Sequence, residues 1–198
     1  MGNTWDIIKN SESVVDLISN LIEDAEIQDG QPKDEKPKPK PAPNRPKKPT
    51  SDLPDFPTGN VGTVDMQYLH PYVQNAALEA MKQCEDAGYP VSAIETYRTP
   101  DRQSELYAQG RTEPGDIVTK AEPFESYHNY GLAIDISPIN NVVGEIFEGC
   151  GFEWGARWKS FKDTPHFQMS FGLSVSELKE LYSHNGIQSV WDYITKEA

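Results

Sequence analysis

The chain has 198 residues, of which 36% are hydrophobic, and a formal net charge of −13 at neutral pH. This length leaves room for one domain of ordinary size. The charge is uneven, because residues 31–50 carry seven Lys or Arg against two acids, a charge of +5, so that the remainder carries −18. So acidic a remainder argues against a reader of duplex nucleic acid, which needs a basic surface on its folded part.

The first 28 residues predict an amphipathic helix over residues 4–27. Apolar residues recur there at spacings of three, four and seven: Ile8, Val15, Ile18, Ile22 and Ala25. A lone helix cannot bury such a stripe, so it packs on the rest of the chain, pairs with a partner, or frays. Its polar face is acidic, which favours a protein partner or self-association over an anionic membrane surface.

Residues 29–57 predict a linker. Nine of the sixteen prolines fall here, interleaved with lysines. Such a segment favours extended, polyproline-like states and cannot build a core. We interpret it as a spacer, although its basic run could also contact phosphates or an anionic wall polymer.

Residues 58–198 predict a folded domain of mixed elements. Helices are expected near 68–87, from 99 onward, and near 142–150, 174–184 and 187–196. Strands are expected near 91–97, 132–136 and 166–170. Mixed order with few strands predicts a small α+β domain. Two isolated cysteines, Cys84 and Cys150, lie among apolar helical neighbours, which predicts buried free thiols.

No membrane span or secretory signal is expected from the sequence. No apolar run reaches ~18 residues, the length that crosses a bilayer. The N-terminal residues are acidic and periodic instead of basic and then apolar. The expected site of synthesis is therefore a cytoplasm, without export by a standard signal.

The stretch Ser126–Asp135 is the most informative part of the chain. It holds His128 and Asp135, and a second histidine, His166, follows downstream. Two imidazoles and one carboxylate make a three-ligand zinc set that leaves a fourth position for water. Alternation along the strand at 132–136 directs Asp135 away from the large apolar side chains. The alternative is a surface turn followed by an ordinary strand with a solvated Asp.

The pattern Ser-x-His-x-x-Gly-x-Ala-x-Asp at 126–135, followed by Asp-x-x-His at 163–166, resembles a family of zinc peptidases that cut peptidoglycan stem peptides. That family includes VanY-like D-alanyl-D-alanine carboxypeptidases and the L-alanyl-D-glutamate endopeptidases of phage endolysins and some autolysins. The similarity covers roughly residues 60–172 and takes in segments 97–99, 103–111 and 151–155. It implies helices packed on one antiparallel sheet, the Hedgehog/DD-peptidase-like fold.

The resemblance implies a role for each matching residue. His128, Asp135 and His166 would bind Zn²⁺ and lower the pKa of its water to about 7, although manganese or iron would also suit these ligands. Asp163, across a proline from His166, would be the general base, with a turn-capping carboxylate as the alternative. Arg98, at a strand end, would bind the scissile carbonyl or its oxyanion, or else is a surface residue.

Three further residues are candidates for substrate binding. Gln103 would contact a substrate amide or carboxylate, and Ser126 would orient the network at the metal. Trp154 would form a wall for the peptide or lie at the edge of the core. The remaining histidines, His70 and His184, are expected to be structural or solvated.

The predicted function is zinc-dependent hydrolysis of an amide bond in peptidoglycan stem peptides, at the L-alanyl-D-glutamate bond, by a phage lysin or virion-associated wall-opening enzyme. Asp163 in place of the family's frequent Glu favours this bond. The alternatives are a D-alanyl-D-alanine carboxypeptidase, a non-catalytic wall-binding module, and a structural protein whose functional part is the N-terminal helix. The expected partner is a stem peptide at the cell wall, and no nucleic acid.

Overall fold

A computed structural model describes residues 53–197 of the protein. The helix predicted over 1–28, and the predicted linker as far as residue 52, lie outside the described residues. Within them, the helices are α1 (Pro71–Asp86), α2 (Pro100–Ala108), α3 (Asn141–Gly149) and α4 (Val175–Glu197). The strands are β1 (Ser92–Glu95), β2 (Ala133–Ser137), β3 (Glu153–Trp154) and β4 (His166–Gln168). The predicted α+β fold, with helices packed on one antiparallel sheet, is confirmed.

Local sequence signals set the ends of these helices. The Nδ1 atom of His70 accepts the N–H of Tyr72 and so caps α1, with Pro71 in the first turn. Thr99 caps α2 in the same way, followed again by a proline. The two C-terminal helices predicted near 174–184 and 187–196 occur as the two segments of α4. Asn185 and Gly186 separate these segments, because their backbone angles are non-helical.

The four strands form a sheet in the order β1-β2-β4-β3, with every neighbouring pair antiparallel. Its register aligns Glu95, Asp135 and His166 across three strands. Directly opposed residues point to the same face of a sheet, so these three polar side chains share one face. The neighbouring register row, Ile134 with Phe167, therefore points to the other face.

That other face is the apolar core. Phe167 is fully buried, with its ring centroid 4.5 Å from that of Phe147 on α3. Trp154 stacks on Phe167 from the edge strand, with ring centroids 5.9 Å apart. Helix α3 approaches closely because Gly144 has no side chain: a Cβ there would lie 2.3 Å from the Trp154 ring. The sheet thus separates a hydrophobic side from a side that carries polar chemistry.

Both cysteines are free and buried, as predicted from their neighbours. Burial raises the pKa of the Cys84 thiol, and it raises that of Cys150, with help from the charge of Glu79, to about 11. Thiols with raised pKa values stay protonated at neutral pH and are poor nucleophiles. The cysteines therefore belong to the core and not to the site.

The packed part of the chain begins earlier than the boundary predicted at residue 58. Leu53 and Phe56 lie inside the predicted linker but pack against the core. The ring of Phe56 lies 4.8 Å from that of Tyr97 and 5.5 Å from that of Trp191, centroid to centroid. No helix within residues 53–197 is both long and apolar enough to cross a membrane.

Candidate metal centre and active site

A short 3-10 helix, Tyr127–Tyr130, carries His128 to the polar face of the sheet. The Ser126 hydroxyl oxygen accepts the N–H of His128 at 3.3 Å and so caps this turn. The turn ends at Gly131, whose φ of 66° lies in the left-handed region. A Cβ on Gly131 would also lie 2.3 Å from the carbonyl oxygen of Tyr68, so the spacing from Ser126 to Gly131 follows from the geometry of the turn.

The three predicted metal ligands converge. His128 Nε2 lies 3.2 Å from Asp135 Oδ1 and 3.2 Å from His166 Nδ1, and the last two atoms are 3.1 Å apart. Both imidazoles are buried, at 1% and 6% exposure. Within the described part of the chain, these residues form a group of side chains that could bind a metal, with donor atoms that lie within 4.8 Å of one another. We call this set of three residues the metal group.

Hydrogen bonds on the far side of each ring determine what faces the centre. His128 Nδ1 lies 2.8 Å from the carbonyl oxygen of Thr96, which can only accept, so Nδ1 carries the proton and Nε2 presents a lone pair. His166 Nε2 lies 3.0 Å from the side-chain oxygen of Gln168, which leaves Nδ1 as a lone pair as well. Together with the Asp135 carboxylate, three acceptors face one another.

Such a cluster fits a cation. Three acceptors at 3.1–3.2 Å repel one another unless a positive charge lies between them. A tetrahedral zinc ion with bonds of about 2.0–2.1 Å separates its ligands by about 3.3 Å, close to the spacing here. The donor set of two imidazoles and one carboxylate, with room for a fourth ligand, is that of a catalytic metal site.

Two carboxylates in the site titrate differently. Burial alone would raise the pKa of Asp135, but when the imidazoles are protonated the positive charges and hydrogen bonds of His128 and His166 outweigh it and hold that pKa below its ordinary value. Partial burial, aided by the charge of Asp135, raises the pKa of Asp163 against the opposing charges of the histidines and Arg98. One acid is suited to stay ionised and the other to exchange a proton.

Asp163 is placed by a turn that depends on Gly155. The N–H of Asp163 donates to the Gly155 carbonyl at 3.2 Å, and its own carbonyl accepts the N–H of His166 at 3.3 Å. A Cβ on Gly155 would lie 2.4 Å from the Asp163 carbonyl oxygen. The close approach of these two backbones therefore needs a glycine, and it fixes Asp163 beside His166.

Arg98 reaches the site with much of its guanidinium already bound. Nε donates to Glu95 Oε1 at 3.0 Å, Nη2 donates to Glu95 Oε2, and Nη1 donates to Gln103 Oε1 at 2.8 Å. The pair with Glu95 is largely buried, with 11% of the arginine side chain exposed. Its remaining N–H bonds are available to a ligand, since Arg98 lines the same cleft as the metal group.

A cleft of about 460 Å³ opens over the metal group. The loop at 118–121 forms one part of its wall, and Trp158 and Phe161 form another. The ring of Trp158 lies 5.2 Å from that of His166, and Lys120 Nζ lies 5.2 Å from the Phe161 ring. A mixed apolar and charged wall beside a cation site can hold a polar peptide.

Two of the predicted substrate-binding residues do not line the cleft. Gln103 is fully buried, bonded to Arg98 and to the carbonyl of Ala121 at 2.7 Å, so it holds the arginine and the wall loop together instead of touching a ligand. Trp154 is 5% exposed and donates its indole N–H to the Thr164 carbonyl at 2.7 Å. It is part of the core, the alternative left open for it, and Trp158 lines the cleft in its place.

The remaining candidates are Ser126 and two histidines. Ser126 lines the cleft and caps the turn that carries His128, so its main contact is with the backbone. His70 is fully buried between α1 and α4, with Nε2 3.4 Å from Thr195 Oγ1, and burial lowers its pKa to about 4. His184 is exposed. Neither belongs to the metal group.

Three groups that hold residues of the site in place were not anticipated. They are the Thr96 carbonyl that fixes His128, Glu95 that holds Arg98, and Gln168 that contacts His166. A sequence signal existed for Gln168, because it lies two residues after His166 on a strand and so shares its face. No comparable signal pointed to the Thr96 carbonyl, since a backbone group has no residue type.

Comparison with known proteins agrees with the geometry. Residues 119–169 match the peptidase M15 family model described as D-alanyl-D-alanine carboxypeptidase. The chain is 40% identical over 122 residues to the peptidoglycan L-alanyl-D-glutamate endopeptidase CwlK of Bacillus subtilis, covering 51% of this chain and 73% of that protein. It is 34% identical over 94 residues to YodJ, a protein of the same organism named as a carboxypeptidase, covering 44% of this chain and 34% of YodJ.

Among solved structures, the L-Ala D-Glu endopeptidase ChiX of Serratia marcescens aligns with a TM-score of 0.34 and 22% identity. This alignment covers 54% of the present chain and 84% of ChiX.

Proposed function

Because this chain belongs to the M15 family of peptidases, we propose that it is a zinc-dependent hydrolase of amide bonds in peptidoglycan stem peptides. The observation that carries the proposal is the convergence of His128, Asp135 and His166 within 4.8 Å, in a cleft that Asp163 also lines. When bound there, a zinc ion supplies Lewis-acid chemistry and makes hydroxide accessible near neutral pH.

Asp163 is the proposed general base. Its carboxylate lies beside the three proposed ligands but is not one of them. Partial burial raises its pKa, which favours the exchange of a proton. In the reaction it accepts a proton from the attacking water at a carboxylate oxygen and later delivers it to the leaving amine. A module that only bound wall peptides would gain nothing from an acid at this position.

Arg98 is the proposed electrophilic residue. Glu95 and Gln103 fix the plane of its guanidinium, so the N–H bonds that remain are aimed before a substrate arrives. Donors held in this way stabilise the negative charge that develops on the scissile carbonyl oxygen. Trp158 and Phe161 contribute by excluding water from the cleft wall.

We propose the L-alanyl-D-glutamate bond as the one that is cut. The relative at 40% identity carries that activity in its name, and Asp163 is the shorter acid expected for this branch. The rival is the terminal D-alanyl-D-alanine bond, supported by the description of the matching family model and by the name of YodJ. The proposed setting is a cell wall opened by a phage-type lysin.

The test is digestion of purified sacculi and of defined muropeptides, with the products identified by mass spectrometry. New L-alanine C-termini and D-glutamate N-termini are expected, and strong chelator should abolish them until Zn²⁺ is restored. Release of free D-alanine alone would assign the carboxypeptidase activity instead. Digestion at an unchanged rate in strong chelator would refute the zinc-dependent mechanism.

A further inference from the structure

We propose that Glu153, acting through Gln168, selects the nitrogen with which His166 binds the metal. Glu153 is thus a positioning residue that never touches the ion. The proposal rests on the metal set of the proposed function, but it concerns a hydrogen-bonded chain that lies behind that set and that no part of the hydrolytic mechanism requires by itself.

The chain of contacts starts at the ligand and ends at the sheet edge. His166 Nε2 lies 3.0 Å from Gln168 Oε1, Gln168 Nε2 donates to Glu153 Oε2 at 3.1 Å, and the Ser170 hydroxyl donates to Glu153 Oε1 at 2.6 Å. The first two side chains are almost completely buried, with His166 6% and Gln168 8% exposed. The Gln168 amide is therefore held by these partners and not by bulk water.

The direction of these bonds follows from the chemistry of the last acceptor. A carboxylate has no proton to donate, so Glu153 requires the NH₂ group of Gln168 to face it. The amide oxygen must then face His166, and an oxygen only accepts. His166 therefore carries its proton on Nε2 and presents the lone pair of Nδ1 towards Asp135.

The sheet register explains why this chain can form. Glu153 and Gln168 are directly opposed on β3 and β4, so their side chains share a face, and His166 lies two residues before Gln168 on the same face. The edge strand β3 has only two residues, Glu153 and Trp154. One of them packs in the core and the other supplies the carboxylate, so the strand both closes the sheet and orients the ligand.

The two histidines are fixed by different means. The tautomer of His128 depends on the backbone carbonyl of Thr96, which no side-chain substitution removes. The tautomer of His166 depends on two side chains, so it can be changed without touching a ligand. Substitution at position 153 should therefore alter one half of the metal site and leave the other half as it is.

The experiment puts a hydrogen-bond donor in place of the acceptor at the end of the hydrogen-bonded chain. In Glu153→Lys, an ammonium group in place of the carboxylate attracts the Gln168 oxygen and turns its NH₂ group towards His166, which then favours protonation at Nδ1. In the double variant Glu153→Lys with Gln168→Glu, a carboxylate at position 168 accepts from both the introduced ammonium group and His166, and the original tautomer returns. Glu79→Lys is the control, since Glu79 also pairs with a glutamine, Gln83, but on the exposed side of α1.

The first readout is the tautomer of His166 in the metal-free protein, from the ¹⁵N chemical shifts of its ring, recorded at a pH high enough for the ring to be neutral. The second is the Zn²⁺ dissociation constant, from competition with a chelating dye. Glu153→Lys is expected to shift the His166 signal towards the Nδ1–H form and to weaken Zn²⁺ binding about 10- to 100-fold. The double variant should restore both values, and Glu79→Lys should change neither.

An unchanged His166 tautomer in folded Glu153→Lys would overturn the proposal, as would equal weakening by Glu79→Lys. Should the lysine variant fail to fold, Glu153→Gln serves, because an amide can face Gln168 with either end and a mixture of both tautomers is then expected. The ring-nitrogen signals need neither metal nor substrate. A protein that binds no zinc would thus refute the proposed function while leaving this orientation chain open to its own test.

Discussion

Asp135 and His166 lie directly opposite each other on the antiparallel strands β2 and β4, and their side-chain atoms Oδ1 and Nδ1 are 3.1 Å apart. Two of the three predicted ligands are thus brought together by strand pairing alone. The third, His128, arrives on a capped turn from outside the sheet. A shift of one residue in the pairing would send Asp135 and His166 to opposite faces, so the metal group and the sheet register depend on each other.

Asp135→Asn should remove metal binding while the fold persists. The amide has nearly the shape of the carboxylate but lacks its charge, so the imidazoles lose the anion that completes the set. Loss of a residue that only supports a metal ligand weakens binding about 10- to 100-fold. Loss of a ligand itself should weaken Zn²⁺ binding by more than that. Titration calorimetry measures it, and Asp65→Asn, on an exposed turn, is the matched control. Unchanged affinity would show that Asp135 is not a ligand.

Asp163→Ala should leave Zn²⁺ bound and reduce turnover. A general base contributes about 10²- to 10⁴-fold to rate, so kcat on a defined muropeptide should fall by that factor. The metal content, measured on the same preparation, should equal that of the wild type. Survival of full activity would eliminate Asp163 as the base, and loss of the metal would make it a ligand instead.

Arg98→Lys should lower kcat more than it raises KM. Lysine keeps the charge but cannot bind Glu95 and Gln103 together while also facing the cleft. Loss of one such donor costs about 10²- to 10³-fold in kcat. Arg102→Lys is the control, because Arg102 pairs with Glu105 at the same spacing but in solvent. Equal effects of the two substitutions would contradict a catalytic role for Arg98.

Lys120→Gln should raise KM with little change in kcat. Lys120 lines the cleft, where its ammonium group lies over the Phe161 ring. Its charge can therefore face a substrate carboxylate. Both candidate bonds have a carboxylate on the carbon that follows the scissile nitrogen. Amidation of this carboxylate should raise the KM of the wild type by the same factor as the substitution does. It should not raise the KM of the variant any further. Lys179→Gln, outside the cleft lining, should have no effect.

Acid should weaken the fold through His70. Burial lowers its pKa from 6.5 to about 4, and its Nδ1 must stay unprotonated to accept the N–H of Tyr72. Because the folded-state pKa is the lower one, this stabilisation is complete above about pH 6.5 and is lost as the pH falls towards 4. The free energy of unfolding should drop by up to about 3 kcal/mol over that window. His70→Asn, which retains a cap, should flatten the pH dependence measured by urea unfolding, and an unchanged slope would contradict the assignment.

The sequence predicted the group of His128, Asp135 and His166 because these positions combine residue type with local geometry. Ser126, His128 and Gly131 belong to one turn, and alternation along β2 aims Asp135, so each needed only its neighbours in the chain. The positions of Gln103 and Trp154 could not be predicted, for the opposite reason. Whether Gln103 faces a ligand or Arg98 depends on contacts across the fold, and a strand of two residues such as β3 is too short to show alternation.

Contacts between distant parts of the chain account for what could not be predicted. The partnership of Gln168 with Glu153 requires the β3–β4 register, and the anchoring of His128 requires the approach of the Thr96 carbonyl. Neither leaves a periodic trace in a single sequence. The packing of Leu53 and Phe56 against the core could not be predicted either, because both lie in a proline-rich segment and find their partners only in the folded state.

Gly155 carries a consequence for anyone who would reshape this enzyme. A Cβ atom in place of the hydrogen at its Cα would lie only 2.4 Å from the main-chain oxygen of Asp163. Mutant libraries built to alter the bond preference can vary Trp158, Phe161 and the loop at 118–121. Position 155 should tolerate no variation in them, because even one added methyl group would displace Asp163, the proposed general base.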